Sequence, residues 1–402
     1  MKALITDASY LHTLAIVRYL AKESIDTLVI GHNKSLDISR YSKYCKHYLK
    51  GPKIEKEKEY VKFLLKTLAR EKIDTLIPVS HTATAIASKY KNRINKISKV
   101  EVADYDKVKI ALNKKSTYQL AEKLGVPYPK TFYPISLKET KKISQNIHYP
   151  AVIKWLFEVG NNIVVIVRNG NELVKNYSEI CQKYNPPSDS LPMIQEFIPT
   201  SNNEVYCLSA LYQNNKCKKI FTQKQIRNTP VEGGTCSYAE SCYIPQVKIY
   251  SLKLLNELNW NGVANIEFKL DQRDGLFKLM EINPKFWAST DMALKAGINF
   301  PYLLCQMARG EKIKHSEEYN RNLKFHFPFS RELKHIKESP KSIFKISIDT
   351  INPAVKSNVW LKDLKPNLIE LIITINSLFL PRFIKNFIKK INNCNDKNQN
   401  SK

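Results

Sequence analysis

Residues 262–287 read GVANIEFKLDQRDGLFKLMEINPKFW. Val263 to Asp271 and Leu276 to Asn283 are strand-like runs, separated by Gln272-Arg273-Asp274-Gly275. Asp-Gly between two such runs predicts a β-hairpin, because both residues tolerate the positive φ of a tight turn. Side chains alternate across a strand, so Asn265, Glu267 and Lys269 fall on one face of the first. Leu279, Glu281 and Asn283 fall on one face of the second. If the faces coincide, two carboxylates and an amide meet. Such a hard-oxygen set suits Mg²⁺, which takes one or two carboxylates and fills its octahedron with water and phosphate oxygens. Two carboxylates brought together without a cation repel each other. The competing reading is a pair of solvated acids at a sheet edge, and on the hairpin alone that reading stands ahead.

On the N-terminal side, Ala3-Leu4-Ile5-Thr6, Thr27-Leu28-Val29-Ile30-Gly31 and Thr75-Leu76-Ile77-Pro78-Val79 are short apolar runs. Leu11 to Leu20 and Tyr60 to Arg70 carry helical periodicity between them. Strand–helix alternation of this kind predicts a parallel sheet with helical crossovers. The first turn, Asp7-Ala8-Ser9-Tyr10, has no G-x-G-x-x-G, which disfavours a dinucleotide site. Asn113 to Gly125 reads as a helix with a glycine cap. Pro150 to Trp155, Asn162 to Arg168, Met193 to Pro199, Val205 to Tyr212 and Lys218 to Lys224 read as strands. The polar connector Asn185 to Ser190 is the expected subdomain break.

Glu281-Ile282-Asn283-Pro284-Lys285-Phe286-Trp287 resembles the E-I-N-P-R-F-W signature of the ATP-grasp superfamily. Further segments match in order. Asn113-Lys114 stands where the family has Asp-Lys, and Lys154 where it has a strand-ending lysine. Gln195 to Pro199 resembles the hinge strand, and Gly262 to Glu267 the strand of the first metal carboxylate. Arg18, Ser39 to Tyr44 and Leu76 to Ser80 resemble the N-terminal domain of carbamoyl-phosphate-synthase-like carboxylate–amine ligases. The resemblance implies an α/β chain: a Rossmann-like pre-ATP-grasp domain over residues 1–108, then a two-subdomain α+β ATP-grasp domain over 109–312. Its small subdomain would cover about 109–184 and its large one about 190–312, leaving an extension at 313–402.

The resemblance also implies site roles. Glu267, Glu281 and Asn283 would hold Mg²⁺ (or Mn²⁺), and Lys114 and Lys154 would contact ATP phosphates. Glu196 and Ile198 would meet the adenine through their backbones, and Glu204 the ribose hydroxyls. The reaction implied is carboxylate activation as an acylphosphate, followed by attack of an amine or thiol. Arg227 is the candidate for the carboxylate or γ-phosphate, since its fork binds either bidentately; a surface arginine is the equal alternative. Lys285 stands in the signature's arginine position, keeping the charge without the fork. Trp155 to Asn162, where the family has a glycine-rich lid, offers Gly160 and an acid, Glu158.

The 402-residue chain carries a formal net charge of +27. That predicts attraction to anions. Lysines are scattered and no nucleic-acid motif is present, so specific nucleic-acid binding is not expected. The eight cysteines form no C-x-x-C pair, as in a reducing compartment. With no signal-like start and no long apolar stretch, the cytoplasm is the expected location. The oligomeric state stays open, a homodimer included. Two other readings are kept: an ATP-grasp phosphotransferase or non-catalytic nucleotide binder, and a basic peripheral membrane or nucleic-acid-binding protein, supported by the net charge and by residues 366–390. That segment has apolar residues at helical spacing with a basic end; a helix packed on the core is the bland alternative.

Overall fold

The computed structural model describes residues 1–157 and 163–379. Five strands, β1 (Lys2–Ile5), β2 (Asp26–Gly31), β3 (His47–Lys50), β4 (Thr75–Ile77) and β5 (Lys99–Val100), form a wholly parallel sheet in the order β3-β2-β1-β4-β5. Alternate residues sort to its two sides. Leu4, Leu28 and Leu76 pack on helix 57–70 through Tyr60, Val61, Leu64 and Leu68. Ala3, Ile5, Val29 and Ile77 face helix 11–22 and join a core that also contains Phe286, Trp287, Met292, Phe300 and Phe325. The N-terminal sheet therefore shares one apolar core with the part of the chain that follows the hairpin.

A second, antiparallel sheet has the order β6-β9-β7-β8, from β6 (Thr131–Phe132), β7 (Ala151–Lys154), β8 (Val164–Val167) and β9 (Met193–Glu196). Its core is separate: Ala151, Ile153, Val167 and Ile194 pack on Leu173, Tyr177 and Ile180 of helix 170–184. This pairing corrects one expected boundary. The connector 185–190 lies inside this unit, because β9 pairs with both β6 and β7; the division falls after β9.

The third sheet holds the hairpin. Its order is β14-β13-β10-β11-β12-β15-β16, with β10 (Val205–Gln213), β11 (Lys216–Thr229), β12 (Thr235–Ser241), β13 (Gly262–Leu270), β14 (Phe277–Asn283), β15 (Lys324–His326) and β16 (Val355–Ser357). The expected boundary at 312 is also corrected: β15 pairs with β12 and β16 with β15, so the extension continues the large sheet. The extension is tied back to the first domain as well. Arg18, 1% exposed, donates from Nε to Asp363 at 2.9 Å and from Nη1 to the Asn358 carbonyl at 3.0 Å. Ser42, in the segment singled out with Arg18, donates to the same Asp363 at 2.7 Å. The described part of the 366–390 segment is a helix, Lys365–Phe379; the remainder lies outside the described residues. The glycine-poor stretch around Glu158 and Gly160 is outside them too. No helix among the described residues is long and apolar enough to cross a membrane. Every described cysteine is a free thiol.

Candidate active site

The hairpin turn closes with Gly275 at φ +71° and an Asp271 N–H bond to the Leu276 carbonyl at 2.9 Å. Register then places Glu267 opposite Glu281 and Asn265 opposite Asn283. The register shifts beyond Glu267, where Phe268 meets Leu279 and Met280 is the extra residue of a β-bulge. This corrects the expected alternation on the second strand. Leu279 and Phe268 lie in the core at 0% exposure, while the bulge turns Glu281 and Asn283 to the opposite face. The freed Met280 carbonyl accepts from the Tyr118 hydroxyl at 2.8 Å.

The two carboxylates and the amide do meet. Asn283 Nδ2 donates to Glu281 Oε1 at 2.7 Å and to Glu267 Oε1 at 3.2 Å. Glu267 Oε1 also accepts from Asn265 Nδ2 at 3.0 Å, and Asn265 Oδ1 accepts from Ser209 Oγ at 2.9 Å. Asn283 Oδ1 lies 2.7 Å from His81 Nε2, which is the donor of that pair because the amide oxygen can only accept.

Two lysines arrive from outside the hairpin. Lys114 opens helix 114–123, whose N-cap Asn113 accepts from the Ser116 N–H at 3.2 Å, a role asparagine fills as well as aspartate. Lys114 Nζ lies 3.6 Å from Glu281 Oε2. Lys154 ends β7 and donates to Gln195 Oε1 on β9 at 2.9 Å. Gln195 Nε2 donates in turn to the Tyr118 hydroxyl at 3.0 Å and to Thr131 Oγ1 at 2.9 Å. A polar chain thus runs from Lys154 through Gln195 and Tyr118 to the hairpin bulge.

The charges are strongly perturbed. Burial, then the neighbouring Glu281 charge, pushes the Glu267 carboxyl up to about 8. Burial raises Glu281 too, but Lys114 and the Asn283 amide outweigh it and hold that carboxyl below its ordinary range. Burial, then repulsion from Lys114 and Lys269, brings Lys154 down to about 7. Burial and the Lys285 charge lower His81 to about 3, so its imidazole is neutral. A carboxyl held protonated beside an ionised one marks a place short of positive charge. With carboxylate and amide oxygens only, the donor set fits Mg²⁺ or Mn²⁺.

The remaining expected residues occupy distinct places. Glu196 ends β9, where its carboxylate accepts from the Lys130 N–H at 2.7 Å and pairs with Arg273 at 3.0 Å. Ile198 is 2% exposed on the passage to the large sheet. Glu204 directly precedes β10 and is paired with Lys224 at 2.8 Å. Lys285 is half-buried, and burial lowers its pKa against the opposing pull of Glu281, Glu267 and Asp7. Arg227 is not brought to the cluster as an open fork. Its guanidinium pairs with Glu332 at 3.2 Å and Asp349 at 2.8 Å, and lies 4.2 Å from the Tyr238 ring. Both acids come from the extension, beyond the reach of motif spacing.

Sequence reasoning missed the groups facing the hairpin from the first domain and the extension. His81 follows β4 at its carboxyl end, where open parallel sheets place ligand-binding residues; that position was the available signal. His12 is 7% exposed, its Nε2 lacks a hydrogen-bond partner among the described residues, and burial with the Lys285 and Arg331 charges keeps it neutral. Arg331 donates to the Cys236 and Ala288 carbonyls at 2.8 and 3.0 Å, and no sequence signal marks it.

Residues 228–326 match the family model described as "ATP-grasp in the biosynthetic pathway with Ter operon". The D-aspartate ligase of Enterococcus faecium is 23% identical over 276 residues, covering 62% of this chain and 63% of the ligase. The carbamoyl phosphate synthase large chain of Archaeoglobus fulgidus is 24% identical over 220 residues, covering 52% of this chain and 19% of the synthase. The chain thus spans less than two thirds of either curated relative. Among solved structures, the biotin carboxylase domain of Hydrogenobacter thermophilus 2-oxoglutarate carboxylase, in complex with MgADP and bicarbonate, superposes with a TM-score of 0.61. It is 17% identical, covering 80% of this chain and 72% of that one. The hairpin lies within the matched residues 228–326, so this stretch carries the sequence pattern of an ATP-grasp family, and the fold of the chain is similar to that of the biotin carboxylase domain.

Proposed function

We propose that this chain is an ADP-forming carboxylate–amine ligase that binds Mg-ATP between its second and third sheets. The observation that carries the reading is the meeting of Glu267, Glu281 and Asn283 with two lysines from separate elements. Lys114 and Lys154, which contact Glu281 and Gln195, would take phosphate oxygens. A nucleotide phosphate would restore full charge to Lys154, whose ordinary pKa burial has depressed. Glu267, Glu281 and Asn283 would hold Mg²⁺, which when bound neutralises phosphate charge. For Asn283 to offer its oxygen there, the amide must rotate away from His81. The backbones of Glu196 and Ile198 are assigned to the adenine and Glu204 to the ribose, on position along the passage between the sheets.

The acid's carboxylate would lie near Lys285 and Arg331, beside His12 and His81. That corner is cationic where the hairpin is anionic, so it orients an anionic substrate toward the γ-phosphate. Arg227 we assign to holding the extension against the sheet, since both its partners are carboxylates of this chain. The D-aspartate ligase relative supports an amino acid as one substrate class. The test is ADP release from Mg-ATP in mixtures of carboxylic acids and amines. Release that needs both supports ligation. Release with a phosphorylated acid and no amine requirement overturns it in favour of phosphotransfer, and tight ATP binding with no turnover in any mixture overturns catalysis altogether.

A further inference from the structure

The extension leaves large apolar side chains in water. Helix 343–351 is anchored by one side only: Ile346 is 5% exposed, and Asp349 reaches Arg227 at 2.8 Å. The other side carries Ile343, Phe344, Ile348 and Ile351, exposed by 46, 79, 61 and 81%. At 3.6 residues per turn these four fall within an arc of roughly 140°, and both anchoring residues lie outside it. Helix 365–379 repeats the pattern, with Leu368, Ile372 and Ile375 exposed at helical spacing.

The charges around these faces are sorted by sign. Lys334, Lys337, Lys341, Lys345, Lys362 and Lys365 are exposed. The acids of the same stretch are largely turned inward. Glu332, Asp363 and Glu370 are 0, 4 and 2% exposed, and Asp349 is held by Arg227; Glu338 is the acid left at the surface. A stretch that buries its carboxylates and displays its lysines beside bare isoleucine and phenylalanine is matched to a partner both anionic and apolar. Nucleic acid would satisfy the lysines and leave the apolar face wet. A second copy, in a chain of net charge +27, would set lysines against lysines. A bilayer with acidic headgroups satisfies both.

We propose that the C-terminal extension docks this protein on an anionic lipid surface, with the Ile343–Ile351 helix face among the acyl chains and the surrounding lysines on headgroup phosphates. The proposal does not depend on the ligase reading, since no part of it requires nucleotide.

The experiment is flotation of the full chain with phosphatidylcholine vesicles, with and without phosphatidylglycerol. Two variants are compared: Phe344→Ser/Ile348→Ser/Ile351→Ser, and Lys341→Glu/Lys345→Glu. All five positions are exposed, so folding should persist; circular dichroism and gel filtration check it. The wild type should float with the acidic vesicles alone, and less so in high salt. Each variant should bind at least tenfold more weakly. Failure of the wild type to float overturns the proposal, as does flotation of the triple-serine variant at the wild-type level, which would move any lipid contact to another segment. A wild-type dimer that the triple-serine variant converts to a monomer would assign the face to a second copy instead.

Discussion

Replacing Glu267 by glutamine should stabilise the ligand-free protein while removing its response to Mg-ATP. In the unfolded chain this carboxyl ionises near the ordinary 4.5, but in the fold burial and the Glu281 charge raise it to about 8. Between those values folding takes up a proton, so stability is greatest below the unfolded value and is lost as pH rises toward the folded one. Each pH unit costs about 1.4 kcal/mol, so at pH 7 the accumulated cost is on the order of 3 kcal/mol. Glutamine keeps the shape and the acceptor that Asn265 and Asn283 address, and it carries no charge to desolvate. Glu267→Gln should therefore raise the ligand-free Tm by several degrees at pH 7 to 8, and by little near pH 5. Saturating Mg-ATP should reverse the order. A ligand at a hundred times its Kd stabilises by about 2.7 kcal/mol, and the variant, short of one oxyanion, should lose most of that shift. Differential scanning fluorimetry from pH 5 to 8, with and without Mg-ATP, makes both measurements. A variant less stable than the wild type at pH 8, or one with an undiminished Mg-ATP shift, would refute the reasoning.

Three further outcomes follow from the geometry. Lys154→Met should raise the ATP Kd or KM at least tenfold, because a charge-assisted contact of about 1.5–3 kcal/mol is lost, with little change in Tm; a KM within twofold of wild type counts against the phosphate role. Arg227→Met should lower unfolding stability by about 3–5 kcal/mol in urea melts, since it strands Glu332 and Asp349, and a loss below about 1 kcal/mol would show that the pairs carry no weight. Asp363→Ala should loosen the extension by removing the acceptor of Arg18 and Ser42; hydrogen exchange should rise across 355–379 before the sheets, and unchanged protection would contradict the tie.

Legibility in the sequence followed chain locality. The hairpin, its turn and its carboxylates were readable because two adjacent strands and an Asp-Gly turn encode their own geometry. The parallel N-terminal sheet was readable from alternating periods. Leu279 was misread because a bulge leaves no mark in a pattern of alternation; the packing of Phe268 against Leu279 decides it. The break at 185–190 was misread because polarity marks a loop, not which sheet the next strand joins. Arg227 looked available because its partners, Glu332 and Asp349, lie more than a hundred residues away. His12, His81 and Arg331 escaped for the same reason: only the shared core that includes Ala3, Phe286 and Phe325 brings their segments to the hairpin.

The tie between Arg18 and Asp363 also has a consequence for the birth of the chain. A guanidinium that ends 1% exposed belongs to a domain made early in synthesis, yet its carboxylate partner is 345 residues downstream. At about 5–20 residues per second, the ribosome needs roughly 17 to 70 seconds to supply it. Through that interval the first sheet can form, but the pocket around Arg18 stays open to water and to chaperones. Completion of the N-terminal domain thus waits on translation of Asp363, and a message cut short before that residue yields a first domain with an unfilled charge for quality control to find.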